Sequence, residues 1–277
     1  MTRILAFTVS VLIAACGPTN DMNGGGGDGD GGTGGGADAN PFTADARPPV
    51  LQASVYAHSS STLYKVDPNT LAVTMVGPFG WPSGSDTMTD IAIDKDGNMV
   101  GVSFTNVYAV DKDTAACQLL APLQSGLQFN GLSFVPGIGP DPNGPERLVG
   151  ATTTGEVYQI DPNTGASTQV GAYGGAYGSS GDIVSVRGFG TVATVTDGGA
   201  TDILARLDPN TFAATPIGDT GYDQIWGVGF WENKVFGFTD TQKFVLIDTN
   251  TGAATEVDTA NVTWWGAAVT TSAPVVN

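Results

Sequence analysis

Tyr64-Lys65-Val66-Asp67-Pro68-Asn69-Thr70 is the stretch that decides the fold, because the chain says it again four times. It returns as Tyr108-Ala109-Val110-Asp111-Lys112-Asp113-Thr114 and Tyr158-Gln159-Ile160-Asp161-Pro162-Asn163-Thr164, then as Ala205-Arg206-Leu207-Asp208-Pro209-Asn210-Thr211 and Val245-Leu246-Ile247-Asp248-Thr249-Asn250-Thr251. The five aspartates stand 40 to 50 residues apart, the period of a β-propeller blade.

The segments around each phrase fall into register. Ile91 to Asp94, a Lys95-Asp96-Gly97-Asn98 turn, Met99 to Phe104, Val107 to Asp111 and Cys117 to Ala121 read as four short strands, a to d. Asp-Gly and Gly-Asn punctuation between alternating runs is the hairpin signature. The inner strand recurs at Leu132-Ser133-Phe134, Val184-Ser185-Val186, Val228-Gly229-Phe230 and Ala267-Ala268-Val269, each read with a small middle residue. Strand b carries Gly101, Gly150, Ala193 and Gly237, which we read as packing devices. The first phrase lacks a preceding strand a, and a lone one, Trp265 to Thr270, is left at the end. It should complete the first blade and remove the open sheet edge. The expectation is an all-β, five-bladed propeller closed by its C-terminal strand, with six blades as the alternative.

The phrase itself is turn chemistry. Pro presets its own backbone angle, Asn tolerates positive φ, and Asp bonds the amides that follow. Asp67, Asp111, Asp161, Asp208 and Asp248 are therefore read as structural.

Outside the repeat, residues 1–15 read as an export signal. Arg3 gives a positive end, and Ile4 to Ala15 an apolar run too short to span a bilayer. Leu12-Ile13-Ala14-Ala15-Cys16 resembles a bacterial lipobox, which implies lipidation of Cys16, a membrane anchor and a place in the bacterial cell envelope. Residues 16–49, nearly all glycine from Gly24 to Gly36, are expected to be a flexible tether. Residues 50–277 are the propeller. Asp28-Gly29-Asp30 does not continue into a calcium loop, since the fifth and twelfth positions are Gly32 and Ala39. With Cys16 lipidated, Cys117 has no partner for a disulfide and is read as a small buried hydrophobe. The net charge of −17, or −18 once Arg3 is removed, argues against a nucleic-acid partner.

The phrase resembles the loose superfamily of bacterial propellers that includes YVTN, NHL and gluconolactonase-like repeats, over most of Val50 to Thr271. Those repeats mark blades without reporting substrates. Function in such folds lies where the d–a and b–c loops ring the central channel. The residues placed there are Thr89-Asp90, Asn130-Gly131, Asp182-Ile183, Trp226-Gly227 and Trp265-Gly266, with Trp81 and Tyr222 from the d–a loops and His58 at the rim. Tyr173 and Tyr177 are read as exposed loop residues.

Aromatic faces beside carboxylates and amides suit a small molecule, glycan or peptide. Trp226, Trp265, Asn130, Asp182, Asp90, Trp81 and Tyr222 are the expected ligand-binding residues of a monomeric, non-catalytic binding module. The gluconolactonase resemblance implies an alternative, a lactonase- or esterase-like hydrolase with a divalent cation such as calcium in the channel. Asp90, Asn130 and Asp182 would be its ligands, although the glutamate which that family carries near the start of the domain has no counterpart here. A third reading is a scaffold for another envelope protein, with the proline-rich loop Pro136 to Arg147 as an added surface. One histidine and one lone cysteine leave nothing for a Ser-His-Asp or Cys/His zinc site.

Overall fold

The computed structural model describes residues 54–136 and 145–276; Cys16, the proposed signal and tether, and most of the proline-rich loop lie outside them. Twenty strands form five four-stranded antiparallel sheets. The first blade holds β1 (Val55–His58), β2 (Thr62–Val66) and β3 (Val73–Pro78). The second is β4 (Met88–Ile93), β5 (Met99–Ser103), β6 (Asn106–Val110) and β7 (Cys117–Pro122). The third is β8 (Gly131–Pro136), β9 (Glu146–Ala151), β10 (Glu156–Ile160) and β11 (Ser167–Ala172). The fourth is β12 (Gly178–Val186), β13 (Gly190–Thr196), β14 (Ile203–Leu207) and β15 (Ala214–Asp219). The fifth is β16 (Ile225–Trp231), β17 (Lys234–Thr239), β18 (Lys243–Asp248) and β19 (Ala254–Thr259).

β20 (Gly266–Ala268) returns to the first blade, pairing His58 with Gly266, Ala57 with Ala267 and Tyr56 with Ala268. The ring is closed by the strand the repeat count left over. The tail continues across the a–b turn end: Thr270 bridges Ile93 and donates to the Asp94 carbonyl at 2.7 Å, and Glu232 N–H donates to the Pro274 carbonyl at 3.1 Å. Glu146 fastens the same end. It accepts from Lys95 N–H at 2.8 Å, from Arg187 at 2.7 Å and from the Thr271 hydroxyl, so three blades and the closing segment meet on one carboxylate.

The aspartate of the repeat phrase does what turn chemistry predicts, whereas the positive φ falls on the residue after the threonine, Leu71, Ala115, Gly165, Phe212 and Gly252, and not on asparagine. Asp67, Asp111, Asp208 and Asp248 each accept, on one oxygen, the N–H groups two and three residues on, at 2.8–3.0 Å. Asp161 accepts the Asn163 N–H in the same way. These bonds to the charged form hold all five carboxyls below the usual range. The glycines of strand b make room for large neighbours: a Cβ on Gly101 would strike Met88, and one on Gly150 the Phe129 ring at 2.8 Å. Blade interfaces are packed with side chains such as Phe230, Phe236, Phe238, Phe244 and Trp264, all fully buried.

Candidate functional site

Five equivalent inner-strand positions meet at the axis. Pairing across strand b aligns Ile91 with Gly101, Leu132 with Gly150, Ile183 with Ala193 and Val228 with Gly237. The residues just before them are Asp90, Gly131, Asp182 and Gly227, with Gly266 from β20. The sequence reading therefore slipped by one residue in the fourth blade. Asp182 is the counterpart of Asp90, and Gly181 is the counterpart of Thr89 and Asn130. The middle residue of that strand is Val184, not the small Ser185. The slip has a local cause: the β12–β13 register breaks between Ser179 and Ile183.

The innermost strand of a blade has no further strand to satisfy its axial N–H groups, and unpaired buried donors are costly. Two carboxylates solve this. Asp182 Oδ1 accepts from Ile183 N–H at 2.6 Å and Leu132 N–H at 3.2 Å, and its Oδ2 from Val228 N–H at 2.9 Å and Ala267 N–H at 3.3 Å. Asp90 Oδ1 accepts the fifth, Ile91 N–H, at 2.8 Å. One amide from each blade thus converges on the pair. Glycine opposite is required, because a Cβ on Gly131 would lie 2.7 Å from the Gly181 carbonyl and one on Gly266 would overlap Asp90 Oδ1 and His58 Nε2.

Both carboxyls are fully buried. Burial, reinforced by the Asp182 charge, pushes Asp90 well up, and its Oδ2 has no hydrogen-bond partner among the described residues. Burial also raises Asp182, to about 7, with its amide donors working against the rise. His58 is not at the rim as expected. It ends β1 with no exposure, its Nδ1–H donates to the Ser59 carbonyl at 2.8 Å, and its Nε2 faces Asp90 Oδ1 at 3.7 Å. Burial lowers its pKa to about 4, so the ring is neutral.

This donor pattern does not suit a hard cation. Asp182 already accepts four amides, two on each oxygen, which uses its lone-pair sites. Asn130 stands one residue nearer the mouth than Asp90 and Asp182, not at equivalent height, and its Nδ2 donates to the Ser179 carbonyl at 3.2 Å. No group of three His, Cys, Asp or Glu residues suited to a metal occurs among the described residues.

Above this seal lies a cavity of about 360 Å³ lined by Thr89, Phe104, Phe129, Asn130, Thr153, Ser179, Ser180, Trp226 and Trp265. Every blade contributes. Trp226 and Trp265 come from the expected inner-strand positions and meet at 87° with centroids 5.8 Å apart; Phe104 meets Trp265 at 78° and 6.4 Å. Phe104, Phe129, Ser179 and Ser180 were missed from sequence. Four expected residues are not in the lining: Asp90 and Asp182 are buried beneath it, and Trp81 and Tyr222 lie elsewhere. Trp81 packs on Phe79 and Tyr108, and Tyr222 packs into the fifth-blade cluster under the Lys243 ammonium. Tyr173, read as an exposed loop residue, is fully buried between the third and fourth blades.

Charge is divided between the two ends. Lys65, Lys95, Lys112, Arg147, Arg187, Arg206 and Lys234 all lie within two residues of an a–b or c–d turn. Of the described cations only Lys243 lies at the mouth end, where it is paired with Glu256. Eight further carboxylates stand there: Asp86, Glu156, Asp197, Asp202, Asp219, Asp223, Asp240 and Asp258. Burial, with the charges of Asp223 and Asp219, raises Asp202 to about 6.

No family model matches the chain, and no curated protein does. The resemblance to YVTN, NHL and gluconolactonase-like repeats therefore rests on the repeat phrase alone. Among solved structures, a protein of unknown function from Bacteroides caccae is similar over 75% of this chain and 73% of its own, at 10% identity and a TM-score of 0.42. A likeness this loose carries no functional argument.

Proposed function

We propose that the chain is an exported, monomeric binding module, anchored in the bacterial cell envelope through lipid on Cys16, that takes a small ligand at the channel mouth without transforming it. The observation that carries this reading is the cavity to which all five blades contribute. It is concave, aromatic and of small-molecule size, the usual character of a ligand site. Its lining contains no Asp, Glu, His, Cys, Lys or Arg, so it offers neither a general acid or base nor an activated nucleophile. That favours binding over hydrolysis. Asp90, Asp182 and His58, which could titrate, are sealed beneath it.

The test is a tryptophan-fluorescence titration of the full chain with sugars, amino acids and small amines, repeated with Trp226→Ala. A saturable response that the substitution abolishes, with the melting curve kept, supports the reading. A variant that binds every ligand as the wild type does refutes it. Loss of fatty-acid labelling in Cys16→Ser would support the anchor.

A further inference from the structure

Three polar side chains of the mouth cavity donate within the protein. Thr89 Oγ1 donates to the Val102 carbonyl at 3.0 Å, Ser179 Oγ to the Gly181 carbonyl at 2.7 Å, and Asn130 Nδ2 to the Ser179 carbonyl at 3.2 Å. These three donors are spent inside the protein. The buried Ser180 hydroxyl has no hydrogen-bond partner among the described residues. Left open to a ligand, besides the Ser180 hydroxyl, are aromatic faces and the Asn130 Oδ1, which has no hydrogen-bond partner among the described residues. The faces and that carbonyl oxygen are both electron-rich. An anion finds no cationic side chain here.

The surroundings have the same sign. The cavity shares Ser180 with a neighbouring hollow that holds Asp202 and Asp223, and shares Phe104 and Thr153 with another that holds Glu156. No lysine or arginine lines any of the three. A concave region of one sign focuses the field and concentrates ligands of opposite charge. Rings set nearly at right angles, Trp226 to Trp265 and Phe104 to Trp265, give walls on which a cation can lie against more than one π-face.

A metal ion or a primary ammonium needs several close oxygen ligands, and the lining leaves one carbonyl uncommitted. An alkylated ammonium carries few or no N–H groups and presents methyls to aromatic walls. We infer that the channel mouth is a site for a quaternary or N-methylated ammonium compound, held by Trp226, Trp265 and Phe104 and drawn in by the mouth-end carboxylates. This rests on the binding reading above and names its ligand class.

The test is calorimetric titration of the full chain with choline and with its neutral isostere 3,3-dimethylbutan-1-ol. The expected result is choline binding tighter by about tenfold or more. Its affinity should weaken with added salt and in Asp223→Asn/Asp240→Asn, whose exposed or half-exposed side chains spare the core. Equal binding of the isostere, or choline binding that neither salt nor the double substitution weakens, would overturn the ammonium assignment while leaving the mouth as an apolar ligand site. Binding of a neutral sugar but not choline would do the same. No heat and no fluorescence change with any probe would overturn the assignment and count against the binding reading itself.

Discussion

Asp182→Asn and Asp90→Asn should differ sharply, although they remove the same charge from the same buried place. Asp182 accepts two amides on each oxygen. An asparagine can satisfy one of those pairs and must point its own N–H₂ at the other. Two buried donors then face a donor, at about 1–3 kcal/mol each, so the loss is roughly 2–6 kcal/mol. For a domain of ordinary stability, on the order of 5–15 kcal/mol, that is a large share. Asp90, pushed up by burial and by the Asp182 charge, is the partner assigned the proton: Oδ1 accepts Ile91 N–H, and Oδ2 has no partner among the described residues. Asparagine keeps the acceptor for Ile91 and is neutral like the protonated acid, so Asp90→Asn should cost no more than about 1 kcal/mol at neutral pH.

The pair also sets the sign of the pH dependence. Both folded carboxyls titrate above their unfolded value, so the folded state keeps protons the unfolded chain has released, and stability falls as pH rises. His58, lowered to about 4, acts oppositely between that value and its unfolded 6.5, which makes pH 6.5 to 8 the clean window. Each retained proton there costs about 1.4 kcal/mol per pH unit. Urea unfolding followed by circular dichroism at several pH values across the window should show the wild type losing stability. Asp90→Asn should flatten that slope by about one proton. Wild-type stability that is flat or rising across this window, or an Asp90→Asn variant as unstable as Asp182→Asn, would refute the assignment of the proton.

Three further outcomes follow from the same geometry. Gly266→Ala would drive a methyl into Asp90 and His58 and should lower stability by about 1–3 kcal/mol or prevent folding, read from the urea midpoint. Asp208→Ala removes an exposed turn acceptor; it should destabilise less than Gly266→Ala and leave ligand titrations unchanged. Because bonding lowers the Asp208 pKa, its contribution is present above the unfolded value and lost as pH falls below it, so the variant should converge on the wild type in acid. Glu146→Gln weakens the clamp on Arg187, Lys95 and Thr271, and hydrogen exchange should report faster opening of the C-terminal segment.

The fold was legible because turn chemistry is local. Asp-Pro-Asn-Thr makes its bonds within five residues, so five copies announce five blades without any knowledge of the rest. The closing strand was legible by counting. The site was legible only where it follows the repeat, as at Trp226 and Trp265. Asp182 was misplaced because the irregular pairing after Ser179 shifts the count by one, and a one-residue slip changes which way a strand side chain points. His58 was misplaced because its position depends on pairing with Gly266, more than two hundred residues away. Phe104 and Phe129 flank polar loop residues and look like ordinary strand ends. Only the ring of blades brings them to one cavity.

The central claim, that the mouth is the ligand site, is tested most directly by the indole N–H resonances of the five tryptophans. Sugars, amino acids and ammonium compounds would be titrated in turn into the full chain. The account predicts that a binding compound moves Trp226 and Trp265 while the fully buried Trp264 and Trp231, near the opposite end of its strand, stay in place. Ligands that move Trp231 but not Trp226 or Trp265, or a full set that moves none of the five, would contradict it.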